Sequence, residues 1–499
     1  MKLVLAVDSS TTSTKVIAFD LEGRLVAQSR HDYPRSNPKP GWQEQDPHDW
    51  WTALKAGLAD VAAQTAGNEL LSLCITHQRE TFVLLDENDE PVRPAILWLD
   101  TRAGEQIQRY GSGQLHAITG KPASTTPSLF KMLWLAEKEP EAFLAAHRIA
   151  EVHAYLVHKL TGDWVTSWAT TDPMTVLDMR DFTYSDNVLS LLRVRESLFP
   201  ELAAPGSVIG QVKDDLANEL GLPRGLPVVA GAGDGQCAGL GANVTGTDRA
   251  YLSLGTSMTM GVHSDDYLYS MAFRTLSSPI AGAYTLEALL SSGALCISWF
   301  ANKLSGMSKA DGPIEPRLEA MAAEVPAGSR GVHFLPYLTS AETPFWDADA
   351  RGCFVGVSDT DGVPELYRAV LEGLALEERL SLKKLQKATG VRVERLSVMG
   401  GASNSPLFTQ IIADALNRPL DICAEAETTC LGAAMLGAAG VGADGEDDVR
   451  KWAGRMSHVS HTVEPSDDRE VYDLGYKVHR KLYPALRDTF PMIAQIRER

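Results

Sequence analysis

The sequence predicts an α/β protein made of two related domains. Its 499 residues exceed one ordinary hydrophobic core and suit two. A unit of strand, hydroxyl-rich turn and strand occurs at the start of each half. The second half ends in strands that alternate with helices.

Residues 3–8 form a short apolar run, residues 14–20 a second strand and residues 24–28 a third after the Glu22-Gly23 turn. Ser9-Ser10-Thr11-Thr12-Ser13 joins the first two strands. Near residue 250 the unit returns: strand 251–254, turn Gly255-Thr256-Ser257, strand 258–263. The boundary is placed near residue 245, giving domains 1–245 and 246–440 and a helical extension of the second domain over 441–499. Residues 395–399 read as a strand leading into Gly400-Gly401. Ser405 is an N-cap with Pro406 at the first helical position, and Leu407, Phe408, Ile411, Ile412, Ala415 and Leu416 mark one helix face. Residues 420–423 form another strand, and residues 428–439 a helix of small residues able to pack closely. The last thirty residues read as an amphipathic helix.

Apolar residues make up 44% and charged residues 22%, a globular composition. With 46 basic and 64 acidic side chains the formal charge is −18, which argues against a nucleic-acid or membrane-surface partner. Phosphates would then have to be held by backbone N–H groups and a metal ion. Six cysteines stand singly and none forms a CxxC, so reduced thiols in a cytoplasmic enzyme are expected. Only five apolar residues follow Lys2 before Asp8, too few for a signal peptide. The apolar stretch 289–300 is broken by Ser291, Ser292, Gly293 and Ser298 and cannot span a bilayer. His458 and His461 have no third ligand candidate nearby and read as a solvated loop.

Five segments carry candidate chemistry. Asp8 ends a buried strand, where α/β folds place ligands, and the small hydroxyl residues after it let backbone amides approach a phosphate, with Lys15 adding charge. The alternative is an ordinary hairpin. Asp234 ends the apolar run Val228-Val229-Ala230 after Gly231-Ala232-Gly233, where a carboxylate can accept a proton during phosphoryl transfer. Otherwise it is a turn or N-cap residue. Gly255-Thr256-Ser257 can cradle phosphate. Gly400-Gly401, with Asn404 close by, suits a nucleotide-contacting turn or a plain βα loop. Thr76-His77-Gln78-Arg79-Glu80-Thr81 joins two apolar runs and offers hydrogen bonds to a polyhydroxyl ligand, with Trp98 downstream to face a sugar ring or to fill core. The alternative for Arg79 and Glu80 is an exposed ion pair of little energetic weight.

In this order the segments resemble the FGGY family of carbohydrate kinases, over about residues 3–440. Gly41-Trp42-Gln43-Glu44-Gln45-Asp46-Pro47 with Trp50-Trp51 carries the resemblance, as do Pro94-Ala95-Ile96-Leu97-Trp98 with Asp100 and Ser253-Leu254-Gly255-Thr256-Ser257. So do Phe334-Leu335-Pro336-Tyr337, Arg351-Gly352-Cys353-Phe354-Val355-Gly356, Gly400-Gly401-Ala402 and Leu431-Gly432-Ala433-Ala434. The resemblance implies two actin-like (ribonuclease H-like) ATPase domains around a cleft, with sugar mainly on the first and ATP mainly on the second. It makes Asp234 the general base and has Asp8 position Mg²⁺ through water. Gln78, Arg79, Glu80, Trp98, Asp234 and Gln236 would then meet the acceptor. Thr11, Thr12, Ser13, Lys15, Gly255, Thr256, Ser257, Gly400, Gly401 and Asn404 would lie along ATP. The implied partners are a small sugar or polyol and ATP, with room for a homodimer.

Two features depart from the family pattern. Ser10 stands where the first phosphate turn usually has glycine, so either its backbone is not left-handed or the turn is altered. The scaffold motifs look like xylulokinases, whereas Gln78-Arg79-Glu80-Thr81 looks like glycerol kinase and Gly235 separates Asp234 from Gln236. A pentulose such as D-xylulose is the first expected acceptor and glycerol or another polyol the second. A catalytically silent actin-like protein is a third reading, which the presence of both Asp8 and Asp234 disfavours.

Overall fold

The computed structural model describes residues 1–497. In the first domain β1 (Lys2–Ser9), β2 (Ser13–Asp20) and β3 (Leu25–Asp32) form an antiparallel meander. Helix α1 (Pro47–Gln64) returns the chain to β4 (Glu69–His77), parallel to β1. With β5 (Val208–Gln211) and β6 (Pro227–Val229) they make a six-stranded sheet in the order β5-β6-β4-β1-β2-β3.

The second sheet contains β7 (Arg249–Leu254), β8 (Met258–Ser264), β9 (Arg274–Ser277), β10 (Tyr284–Leu290), β11 (Arg395–Met399), β12 (Leu420–Cys423) and β13 (Val459–Val463), ordered β9-β10-β8-β7-β11-β12-β13. Laid side by side, β3-β2-β1-β4-β6-β5 matches β10-β8-β7-β11-β12-β13. Each is an antiparallel meander, then two parallel strands, then an antiparallel edge. Only β9 is extra. The repeated hydroxyl-turn unit thus marks a repeated topology.

The helices repeat as well. Asp46 caps α1 by accepting from the His48 amide, Pro47 opens it, and Trp50, Leu54, Leu58 and Val61 bury against one face of the first sheet. Its counterpart is α3 (Val363–Thr389), ahead of β11. Helices α2 (Asp234–Gly241) and α4 (Thr428–Gly440) follow β6 and β12. Although α4 follows a strand of the second sheet, it buries Cys430, Leu431, Met435 and Leu436 with Val4 and Ala6 of the first. A Cβ on Gly241 would stand 2.0 Å from the Thr428 carbonyl oxygen, and one on Gly432 would stand 2.0 Å from that of Cys237. The small residues of α4 therefore permit a backbone-to-backbone crossing with α2.

Ser405 caps the helix Pro406–Leu416 as expected, accepting from the Phe408 amide at 3.0 Å. The segment holding His458 and His461 differs from the expected loop. His461 lies in β13 opposite Ile422, and the strand is exposed because its Val-Ser-His-Thr-Val sequence has too few apolar residues to bury a face. After residue 440 the chain thus supplies a strand besides its helices. Trp452 and Met456, on the helix Val449–Met456, bury among first-sheet residues. No helix among the described residues is long and apolar enough to cross a membrane.

Candidate active site

Three parallel strands of the first sheet end together. Asp8 of β1 lies opposite Thr76 of β4, Ser9 opposite His77, and His77 bridges to Gly233, just before Asp234. Asp8, the 78–80 segment and Asp234 therefore share the carboxyl edge of the sheet, where ligands of α/β folds bind. Asp8 keeps one carboxylate oxygen, Oδ1, buried without a hydrogen-bond partner. Burial, followed by the nearby charge of Asp234, pushes its carboxyl up to about 7, and Lys15 opposes the shift. Asp234 opens α2; its Oδ1 accepts from the Gly235 amide at 2.7 Å and meets Arg79 Nε at 2.8 Å. His77 is fully buried, and burial lowers it to about 4, so it packs here as a neutral imidazole.

Arg79 and Glu80 are not an exposed pair. Glu80 is 3% exposed, and both residues reach across to the second domain. Arg79 Nη1 donates to both oxygens of Glu287 on β10, at 3.1 and 3.3 Å. Glu80 Oε1 accepts from Arg274 Nη1 of β9 at 3.0 Å and from Thr126 Oγ1 at 2.9 Å. Arg274 also bonds Glu287 Oε1, while Tyr251 donates to Glu287 Oε2 at 2.7 Å. Burial alone would raise the Glu287 carboxyl, but Arg79 and Arg274 outweigh it and hold it well below the usual carboxylate range. Glu80 has φ of +62°, a left-handed backbone that costs a non-glycine residue about 1–3 kcal/mol and persists where surrounding contacts enforce it.

The first hydroxyl turn lies beside this cluster. Ser10 is not left-handed. Its amide and its hydroxyl both donate to the Ser13 carbonyl, at 2.9 and 2.8 Å, so serine fits without strain. Trp98 ties this turn to the 78–81 segment. Its indole N–H donates to Thr11 Oγ1 at 2.9 Å and its backbone N–H to Thr81 Oγ1 at 3.1 Å. Thr12 is exposed and Ser13 buried.

In the second sheet β7 and β11 are parallel and end side by side, which brings Gly255-Thr256-Ser257 next to Gly400-Gly401. The two glycines differ. Gly400 has φ of +95°, and a Cβ there would lie 2.8 Å from the Leu254 backbone, so its glycine is required by the neighbouring strand. A Cβ on Gly401 meets nothing within 4 Å. Gly401, Asn404 and Thr256 are exposed and face open space. The Gly255 carbonyl accepts from the Ala294 amide and that of Thr256 from the Leu295 amide, which ties the turn to the start of the helix Gly293–Lys303.

Three expected ligand contacts are otherwise engaged. Lys15 Nζ is held by both oxygens of Glu427, at 2.7 and 2.6 Å, so its charge is spent between the domains. Gln78 is buried, donating to Gln45 Oε1 at 3.3 Å and accepting from Thr81 at 3.2 Å. Gln236 is buried too, and its amide donates to the carbonyls of Ala169 and Ser277. The Gln236 amide nitrogen is thus engaged within the fold, while its Oε1 stays buried without a hydrogen-bond partner. Arg274, Glu287 and Tyr251 were missed. A charged residue inside the apolar strand Tyr284–Leu290 was the available signal, since a buried charge requires a partner.

Residues 3–241 match the N-terminal domain of the FGGY family of carbohydrate kinases, and residues 250–441 match its C-terminal domain. The chain belongs to the FGGY family of carbohydrate kinases. Among similar FGGY kinases is the xylulose kinase of Lactococcus lactis subsp. lactis (strain IL1403), 29% identical over 494 residues and covering 97% of each chain. The glycerol kinase of Thermococcus kodakarensis is 28% identical over 490 residues, 95% of each chain. The crystal structure of ligand-bound xylulose kinase from Lactobacillus acidophilus superposes with a TM-score of 0.93 at 26% identity, over 99% of this chain and 100% of that one. The expected kinase fold and family are thus borne out, and the protein is an ATP-dependent carbohydrate phosphotransferase.

Proposed function

We propose that the protein transfers the γ-phosphoryl group of ATP to a hydroxyl of a small sugar, first a pentulose such as D-xylulose and second glycerol or a similar polyol. The observation that carries this reading is the meeting of Asp234, Arg79 and Glu80 at the carboxyl edge of the first sheet. Asp234 is the base: the acceptor hydroxyl donates to its carboxylate as the oxygen attacks phosphorus. Arg79 and Glu80 hold neighbouring hydroxyls, because a guanidinium donates in one plane and a carboxylate accepts from a diol. Trp98 fixes the distance between acceptor and phosphate turn. Thr11, Thr12 and Ser13 on one side and Gly255, Thr256, Ser257, Gly401 and Asn404 on the other line the path of ATP. Lys15 and Gly400 support that path from behind, and Gln78 and Gln236 support the acceptor side.

The unpartnered Oδ1 of Asp8 and the charge of Asp234 beside it fit a magnesium ion. Among the described residues no group of three or more His, Cys, Asp or Glu side chains could hold a metal. That donor set suits an ion carried largely by water and phosphate, as magnesium is. Bound there, the ion would neutralise phosphate charge. A cytoplasmic location goes with this reading.

The glycerol alternative is favoured by the Gln78-Arg79-Glu80-Thr81 segment and by the kodakarensis relative. A panel of pentuloses, glycerol and other polyols in a coupled ADP-release assay tests the proposal. ADP release stimulated by a pentulose above all others supports the first reading, and by glycerol the second. ATP turnover that no acceptor stimulates would return the protein to the catalytically silent class.

A further inference from the structure

We infer that the acceptor site is completed by the second domain, with Arg274 and Glu287 as its positioning residues. The inference rests on the acceptor role proposed above for Arg79 and Glu80. Each of those side chains has two edges. Glu80 gives Oε1 to Arg274 and Thr126. Arg79 gives Nη1 to Glu287 and Nε to Asp234. Among the described residues Glu80 Oε2 and Arg79 Nη2 have no hydrogen-bond partner. One edge of each is thus anchored to the β9–β10 hairpin.

The anchoring groups are themselves over-determined. Arg274 bridges Glu80 and Glu287, Glu287 bridges Arg79, Arg274 and Tyr251, and both are nearly fully buried. Strand β9 is held against the first domain by backbone as well. The Thr275 amide donates to the Gly120 carbonyl at 2.9 Å, and the Ser277 amide bonds the Asp172 carboxylate, which also meets Lys121 Nζ at 2.7 Å. An Asp234–Arg79–Glu287–Arg274–Glu80 chain, open to solvent only at Asp234, therefore runs from the proposed base, through the second domain, back to the acceptor carboxylate. It holds Arg79 and Glu80 in a fixed relation to each other, which binding of two neighbouring hydroxyls requires. Arg274 and Glu287 belong to neither the hydroxyl turns nor the acceptor segment, and they lie 194 and 208 residues from their first-domain partners.

The test is a double-mutant cycle of Arg274→Met with Glu80→Ala, using the best acceptor from the panel and melting curves for each variant. Arg274→Met should lower acceptor kcat/KM about tenfold or more, the scale of one buried charged hydrogen bond, and leave ATP KM within about twofold. Arg274→Lys should restore part of that loss. Added to Glu80→Ala, Arg274→Met should cost clearly less than it does alone, because part of its effect runs through that carboxylate and only the rest through Glu287. Should Arg274→Met not fold, Arg274→Lys carries the same cycle. Full additivity with Glu80→Ala, or acceptor kcat/KM within twofold of wild type in the folded Arg274 variant, overturns the inference while leaving the acceptor reading intact. An unchanged acceptor kcat/KM in Glu80→Ala alone overturns both.

Discussion

The two sheets end in sites of the same geometry and opposite chemistry. The edge of the first carries acids: Asp8 on β1, Asp234 after β6 and Glu80 after β4. The edge of the second carries Gly255, Thr256, Ser257, Gly400 and Gly401, and its acids, Glu425 and Glu427, come only after β12. Duplicated topology supplies each edge with a turn between antiparallel strands and a parallel neighbour. What the edge does then follows from a few side chains. Carboxylates suit a proton-accepting, metal-facing site, and small residues suit one where backbone must approach phosphate. The heads of the crossing helices differ in the origin of the partner and not in charge. Asp234 opens α2 and meets Arg79 of its own domain, whereas Glu427, just ahead of α4, meets Lys15 of the other domain.

The largest effect should come from the acid edge. Asp234→Asn should cut turnover by about 10² or more, the scale of general-base catalysis, with the melting curve and the ATP dissociation constant nearly unchanged. Near-normal turnover in the coupled assay would remove the base from this edge. Next in size, Arg79→Ala and Glu80→Ala should each cost about 1–3 kcal/mol in acceptor kcat/KM and leave ATP affinity alone, as steady-state kinetics with both substrates varied will read. A matching loss in ATP affinity would mean that the two edges do not divide the substrates between them.

The small-residue edge is probed through its paired glycines. Gly400→Ala should destabilise the fold by about 1–3 kcal/mol in chemical denaturation, because it forces a Cβ onto left-handed backbone against Leu254. Gly401→Ala should leave stability unchanged, so any rise in its ATP KM reports nucleotide at that face. An unaffected ATP KM would move the nucleotide elsewhere.

The smallest effect concerns Asp8. Folding raises its carboxyl from 3.8 to about 7, so the native state holds that proton more tightly than the unfolded chain. Its charge costs stability progressively above pH 3.8 and in full above about 7. Asp8→Asn should therefore raise Tm by a few degrees at pH 8, with the gain fading toward pH 4. A variant less stable than wild type at pH 8 would contradict the buried-charge account of this edge.

Most of the fold was legible because its signals are local. The two hydroxyl turns sit between adjacent strands, Ser405 and Pro406 start their helix, and the small residues of α4 announce a close crossing. Asp8 and Asp234 were legible as acids at strand ends. Gly400 has a structural reason that the sequence does not show, since the Leu254 backbone occupies the space a Cβ would fill. Gln78, Gln236 and Lys15 were assigned to ligands because their donors look free in one dimension. Gln45, Ala169 with Ser277, and Glu427 use them up only once the chain folds. Glu287 stands out as a charge in an apolar strand, but nothing local links it or Arg274 to Arg79 and Glu80.

Strand β9 bears on how the two halves came to depend on each other. It is one edge of the seven-stranded sheet, opposite the exposed β13, and outward groups of it are already used: Thr275 and Ser277 donate to the first domain, and the Ser277 carbonyl accepts from Gln236. An uncovered edge strand is a template for pairing with other chains. The second half produced alone would present a raw, sticky border and recruit its own copies, so the duplicated halves are no longer separable modules. The first half acts as a built-in guard against self-association of the second.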